Sequence, residues 1–239
     1  MSTRSKKYFS FKAIKGASLT EFVIVTPIAV LFVFCIIQAG LLYMAKLTLN
    51  NAVFMAARHG ANNHASKSEI KDSLAKGLIP FYINAFEQPT VATMAEALVK
   101  AKLDLLNPAF PDPLDRISPS DAMFTTYGIN SPAGRYIPND NLEYRDANPR
   151  PSSDGQISIR DANILKIKVT YAYDINKVPL MATLLRRIMC TGILDKGGVD
   201  AWSANNITGF DAGNCRYYLL KKIPIVAYAT VQMQSNPKK

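Results

Sequence analysis

The chain has 239 residues, with 28 Lys and Arg against 18 Asp and Glu, and a formal net charge of +10. This length fits one domain, or one domain with an appendage, and is enough to bury a core without cross-links. An apolar fraction of 49% excludes a disordered polar chain. A mean hydropathy of +0.03 excludes a protein with many membrane spans, although it is compatible with one concentrated apolar segment.

The positive charge is concentrated at the N-terminus. The first sixteen residues contain no Asp or Glu and five basic residues, which are Arg4, Lys6, Lys7, Lys12 and Lys15. The other 223 residues carry only about +5, and their basic residues are scattered among acidic ones, as on a solvated surface. We therefore predict no nucleic-acid partner.

An uncharged apolar run of 23 residues follows, FVIVTPIAVLFVFCIIQAGLLYM from Phe22 to Met44. As a helix it would rise about 34 Å, enough to cross a hydrocarbon core of ~30 Å. The alternatives are a buried core helix and a cleavable secretory signal. A signal has a shorter apolar core, typically 7–15 residues, whereas here residues 45–49 continue a helical pattern. We predict a retained anchor with its basic end in the cytoplasm.

The junction between the basic segment and the apolar run reads Lys15-Gly-Ala-Ser-Leu-Thr-Glu-Phe22. Gly16 gives the backbone an unobstructed, flexible position that a protease can reach. Glu21 is the only acidic residue among the first 68 and lies where the chain would enter the bilayer. Because an intramembrane charge costs a few kcal/mol, it indicates function by default. The alternative is an ordinary interfacial glutamate that extends to water.

This junction resembles a prepilin leader. The resemblance implies cleavage of the Gly16–Ala17 bond by a prepilin peptidase, with Glu21 as the fifth residue of the mature chain. Cleavage would create an α-ammonium group on Ala17, the natural partner of the Glu21 carboxylate on the same chain or on a neighbour. Processing would then control lateral packing.

A particular branch of these proteins is indicated by the pattern G-A-x-x-x-E-F-x-x-x-x-P, which ends at Pro27. It resembles the TadE-like pseudopilins of tight-adherence (Tad/Flp) pilus systems. Residues 164–173 and 222–235 are also similar to strands of TadE-like chains, whereas residues 107–160 resemble nothing we recognise.

The resemblance implies a minor pseudopilin without enzymatic activity in a bacterial inner membrane. Its C-terminal domain would be periplasmic, and its long helix would pack against other pilin-like subunits and the pilus assembly platform to prime or support fibre assembly. The alternative is a single-span, membrane-anchored envelope binding protein that is neither processed nor part of a pilus.

The predicted domain organisation is a leader over 1–16, a long helix over 17–60 and an exported domain over 61–239. The helix should run from near Leu19 to His59, with Gly60 as its stop and a kink at Pro27. A capping box at Ser66–Glu69 should open a second helix that Pro80 bends or ends. A third helix should follow Thr90, with its apolar face formed by Met94, Leu98, Leu105 and Leu106, and end at Asn107-Pro108.

The rest of the exported domain is predicted to be mainly β-structure. Residues 107–160 contain eight of the 14 prolines, so we expect a surface loop with one short strand over 123–127. Residues from Leu165 to Tyr173 alternate with period two and predict a half-buried strand, and residues 223–233 predict a second. Residues 180–189 suit a short helix. The fold class is therefore α+β, with helices packed on one face of a small antiparallel sheet.

Three cysteines and two histidines complete the inventory of reactive side chains. Cys190 and Cys215 form an even pair in an exported domain and predict a disulfide, with two free thiols as the alternative. Cys35 lies in the apolar run. His59 and His64 lack a third ligand at suitable spacing, and no phosphate loop or catalytic triad is present. We predict no cofactor and no metal.

Overall fold

The structure of the chain is a computed structural model that describes residues 19–83, 88–132, 134–146, 148–174, 217–218 and 220–239. The helices and strands follow one another as α1 Leu19–Asn62, α2 Lys67–Gly77, a 3₁₀ turn Ile79–Phe81, α3 Val91–Leu105, β1 Leu114–Ser118, α4 Asp121–Tyr127, β2 Ile129–Ser131, β3 Gly134–Tyr136, β4 Arg150–Ser152, β5 Gly155–Ile157, α5 Ile159–Ala162, β6 Ile164–Asp174 and β7 Lys222–Gln232.

The first helix, α1, is one continuous element of 44 residues, about 66 Å long at ~1.5 Å per residue. This confirms the predicted long helix. The predicted stop at Gly60 is wrong, because the helix continues to Asn62. A Cβ atom on Gly60 would collide with the side chain of Ile70. Gly60 therefore permits close packing of the next helix and does not end this one.

Helix α2 folds back antiparallel on α1. Ile70 packs against Gly60 at one end of the pair, and Gly77 packs against Ala52 at the other. The predicted capping box is wrong, since Ser66 occupies the N-cap position without a side-chain capping bond. Its Oγ contacts the Ser68 Oγ at 2.9 Å instead. The helix ends at Gly77, and Pro80 lies in the 3₁₀ turn that follows, in line with the prediction that Pro80 bends or ends the helix.

Helix α3 begins with a capping box that the sequence analysis did not predict. The Thr93 N–H donates to Thr90 Oγ1 at 3.3 Å, and the Thr90 N–H donates to Thr93 Oγ1 at 2.9 Å. The predicted apolar face is only partly correct, because Leu105 is buried but Met94 and Leu106 are exposed. The helix buries Ala97 and Ala101 with Leu105, and these small side chains allow its backbone to approach α2 closely.

The main sheet has the order β1-β6-β7 and is antiparallel throughout. In β6 the alternating residues Leu165, Ile167, Val169, Tyr171 and Tyr173 are buried, which confirms the period-two prediction. The closing strand is also confirmed, with β7 shifted by one residue at each end. One hydrophobic core joins the buried face of this sheet to α1 and α2, so helices cover one sheet face as predicted for an α+β fold.

The segment 107–160 differs most from prediction. It contributes β1 to the main sheet and two small hairpins, β2-β3 and β4-β5. The strand predicted over residues 123–127 is wrong, because these residues lie in α4. Ser120 is the N-cap of that helix, and its Oγ accepts a hydrogen bond from Met123 N–H at 3.3 Å. This bond stabilises the first helical turn and so favours helix over strand at these residues. The segment has a small core of its own with the adjoining Ala162, and its other members are Phe124, Tyr127, Ile137, Ile157 and Ile159.

This segment packs at the end of the sheet where β6 begins and β7 ends. Asn163 is fully buried there and donates to the carbonyl oxygens of Pro138 at 3.1 Å and Ile159 at 3.0 Å. The Met233 N–H donates to the Asn163 carbonyl at 2.9 Å. Hydrogen bonds to the backbone therefore attach the small core to this end of the main sheet, which is called the distal end because it lies away from the apolar half of α1.

Candidate functional site

The helix α1 consists of two halves with opposite environments. From Phe22 to Met44 nearly every large apolar side chain is exposed, whereas from Ala45 onward one face is buried in the core. Among the described residues, this is the one helix long and apolar enough to cross a membrane, and only 6% of its most apolar window is buried. A core helix of a soluble domain would be mostly buried. The exposure and composition of this half support membrane anchoring.

The two halves are joined without a break in one helix. The buried face of the second half is rich in alanine, and its members are Ala45, Leu49, Ala52, Val53, Ala56, Ala57 and Ala61. Because α2 and β7 both pack on it, the second half is an integral part of the core.

Lys46 marks the point where α1 meets the sheet. It is the first charged residue after Glu21, and its Nζ donates to the carbonyl oxygen of Val226 in β7. Further along, the N–H groups of Gln234 and Ser235 donate to the Ala61 carbonyl at 3.1 Å. Contacts that advance along both elements show that β7 runs beside α1 in the same direction.

The similarity to a known protein family falls on the same long helix. Residues 16–58 match the family model described as TadE-like protein.

The chain carries a TadE-like N-terminal segment.

No curated protein and no solved structure matches the chain. The family match confirms the resemblance to TadE-like proteins of Tad pilus systems for residues 16–58. It begins at Gly16 and ends four residues before the end of α1. The similarity inferred for residues 164–173 and 222–235 lies outside the match and stays a prediction.

The predicted site residues of the TadE-like segment are only partly described by the structure. Gly16 and Ala17 lie outside the described residues. Glu21 is the third residue of α1, a position where the helix dipole favours a carboxylate. Pro27 lies inside α1, which continues through it, and the kink predicted there stays a prediction.

The predicted cysteine pair is also outside the described part of the chain, as is the helix predicted over 180–189. Cys35 is a free thiol on α1. His59 is in the last turn of α1, and the His64 ring contacts the Asn236 carbonyl at 2.8 Å.

A polar network near the start of β7 was not predicted. The Tyr82 hydroxyl donates to Asp104 Oδ2 at 2.7 Å and lies 2.8 Å from the Tyr171 hydroxyl, while Lys222 Nζ is 3.9 Å from Asp104 Oδ1. Phe81 stacks on Tyr171 with ring centroids 5.3 Å apart. The network ties the 3₁₀ turn, α3, β6 and β7 together. No local sequence pattern reveals it, because its members are far apart in the chain.

The network predicts a loss of stability in alkali. Burial raises the pKa of the Tyr171 phenol, so the folded chain retains a proton that the unfolded chain releases above a pH of about 10. The stabilisation is therefore complete below this pH and is lost as pH rises, by about 1.4 kcal/mol per pH unit for one tyrosine. Tyr171→Phe should reduce this slope in denaturant unfolding of the full chain in detergent.

The control is Tyr144→Phe, which removes a hydroxyl from an exposed tyrosine. It should leave the alkaline slope of the unfolding free energy unchanged. Equal slopes for the two variants would show that the Tyr171 phenol contributes nothing to the pH dependence.

Proposed function

We propose that the chain is a minor pseudopilin of a Tad-type pilus biogenesis machine, with a structural role in priming or supporting fibre assembly. The observation that carries the proposal is that the family match falls on the long helix α1. The TadE-like match covers residues 16–58, and the described part of this range, residues 19–58, forms a helix. From Phe22 to Met44 its apolar side chains are exposed, and from Ala45 onward one face packs in the domain core. Such a subunit holds its domain at a fixed distance from the membrane.

The proposed mode of action is packing of α1 against similar helices. An exposed stripe with alternating spacings of three and four residues runs along both halves of α1, through Val30, Val33, Ile37, Gly40, Met44, Leu47, Asn51, Phe54 and Arg58. This is the spacing of a helix–helix seam. Gly40 lies in the stripe with open space beside it, where a neighbouring helix can approach closely.

The proposed processing step creates the partner of Glu21. Cleavage by a prepilin peptidase between Gly16 and Ala17 removes the basic leader and leaves a free ammonium group on Ala17. An ammonium group and a carboxylate at the membrane boundary neutralise each other, which lowers the cost of placing either among lipid tails. Pairing with the Ala17 of a neighbouring subunit would favour lateral association.

The proposed location is the bacterial inner membrane, with the leader in the cytoplasm and the domain in the periplasm. Five basic residues before the apolar run support this orientation. The proposed partners are the prepilin peptidase, other pilin-like subunits and the pilus assembly platform. An oxidising compartment would also favour the proposed Cys190–Cys215 disulfide.

The assembly role is tested by Glu21→Ala. We expect this variant to be cleaved normally but to lose the carboxylate that pairs with the Ala17 ammonium. Co-purification with the pilin-like subunits of a Tad system should fall at least about tenfold, equivalent to ~1.4 kcal/mol of association free energy. The measurement is quantitative mass spectrometry of the subunits captured with the tagged chain from detergent extracts.

Glu96→Ala is the matched control, because it removes an exposed carboxylate from α3, outside α1. It should leave co-purification unchanged. Unchanged capture and normal pili in Glu21→Ala would indicate a merely interfacial glutamate. An unprocessed chain without pilin-like partners would instead support the membrane-anchored envelope binding protein.

A further inference from the structure

One end of the domain reaches back along the axis of α1 and lies beside the last part of its apolar half. Lys46 contacts Val226, and β7 runs beside α1 in the same direction. Lys222 precedes Val226 by four residues, about 13 Å at ~3.3 Å per residue in a strand. This distance corresponds to roughly nine residues of α1 and places Lys222 level with about Ile37, next to Gln38. Gln38 is only 9% exposed although most of the apolar run around it is exposed.

The turn that leads into β7 therefore lies beside the outer part of the predicted membrane span. It is closed by a hydrogen bond from Lys221 N–H to the Tyr218 carbonyl at 3.2 Å, and Lys221 has a φ of +57°. The turn presents Leu220, which is 45% exposed, next to the exposed Lys221. The tip thus combines one apolar side chain and one cation.

The two lysines of the turn differ in their described contacts. Lys222 faces Asp104, with 3.9 Å between Nζ and Oδ1, whereas Lys221 forms no ion pair among the residues that the structure describes. Asp104, the acidic partner of Lys222, lies near the end of α3, where Leu103 and Leu106 are exposed. Exposed leucines and a lysine beside the outer part of the predicted span match an apolar layer beneath a layer of phosphates.

We infer that the turn Leu220–Lys222 is a second membrane contact, in which Leu220 enters the bilayer surface and Lys221 binds the phosphate of an anionic phospholipid. The side chain of leucine is stabilised by leaving water, and a lysine near the surface is attracted to anionic headgroups. A helix that crosses the membrane alone leaves the domain free to rotate about the helix axis. A second contact on one side of α1 prevents this rotation and fixes the orientation of the domain about the helix axis.

Photo-crosslinking to lipid tests this contact. The full chain carries p-benzoylphenylalanine at position 220, 33 or 144 and is reconstituted in phosphatidylcholine vesicles with about 30% phosphatidylglycerol. Val33 lies in the exposed apolar half of α1. Tyr144 is 90% exposed and lies at the distal end, where its neighbours Leu142 and Glu143 line a groove with Ile164 and Gln232. We expect lipid adducts at positions 33 and 220 but none at 144.

The source of the phosphate is tested with the same probe at position 220. Lys221→Glu should lower the yield of phosphatidylglycerol adducts at least threefold, while millimolar inorganic phosphate should not compete. A yield at 220 as low as at 144, with adducts at 33, would overturn the proposed contact. Adducts between two protein chains at 220 would also overturn it, because they would show a protein partner. Loss of adducts at both 33 and 220 would overturn the anchor as well.

Discussion

Gly16→Leu is expected to keep the first sixteen residues on the chain in cells that contain prepilin peptidase. A leucine side chain crowds a scissile bond that the protease reaches only where the backbone is unobstructed. The variant then lacks the Ala17 ammonium, and Glu21 remains at the membrane boundary without its proposed partner. We expect complete retention of the leader, measured by N-terminal sequencing of the membrane-extracted chain, and loss of association with pilin-like subunits.

Gly40→Leu is the matched control for this substitution. It makes the same change in α1, where a Cβ atom would meet nothing within 4 Å. It should be processed like the unsubstituted chain, and it controls for processing alone because Gly40 lies in the proposed packing stripe. Efficient cleavage of Gly16→Leu, or failure of both variants to be cleaved, would show that Gly16 is not the determinant of processing.

The second large effect concerns the packing of α2 on α1. A Cβ atom on Gly77 would lie 2.7 Å from Ala52 Cβ and 2.8 Å from Ala52 Cα. Neither atom can move without moving the backbone of α1, so Gly77→Leu must separate the two helices. We expect a loss of about 3 kcal/mol in unfolding free energy, at the upper end of overpacking effects, measured by denaturant unfolding of the full chain in detergent.

The same Gly40→Leu variant serves as the control for stability, because its new side chain faces detergent or lipid. Its unfolding midpoint should match that of the unsubstituted chain. An unchanged midpoint for Gly77→Leu would contradict the close contact between α1 and α2 on which the domain core depends.

The parts of the fold that were predictable are those in which one local pattern decides the structure. The uncharged run at residues 22–44 and the alternation from Leu165 to Tyr173 each extend over many residues, so both α1 and β6 were predicted closely. Caps were less predictable, since Ser66 and Thr90 both precede helices but only Thr90 forms side-chain capping bonds. Whether a side chain caps depends on competing partners, such as Ser68 for Ser66.

The segment 107–160 was not predictable from its prolines. Eight prolines suggested a surface loop, but the segment supplies β1 and a small core of its own. Proline excludes helix and central-strand interiors without excluding edge strands or turns. Leu114–Ser118 forms an edge strand, and what places it there is pairing with β6, which is distant in the sequence.

The candidate site was also predictable only in part. The junction at Gly16, Ala17 and Glu21 is a contiguous motif, so its resemblance was evident from the sequence, and residues 16–58 match a family model. The contact between Lys46 and Val226 joins residues that are 180 positions apart. No sequence pattern indicates which strand a lysine at the end of an apolar run will meet. The level of the domain along α1, on which the proposed role of Leu220 rests, follows from that contact.

The central claim, a processed pseudopilin, is tested most directly by the intact mass of the full-length chain extracted from membranes with and without a prepilin peptidase. We expect the peptidase to remove residues 1–16 and leave Ala17 as the N-terminus, and the chain to keep Met1 when the peptidase is absent. Retention of Met1 under both conditions would contradict the proposed function.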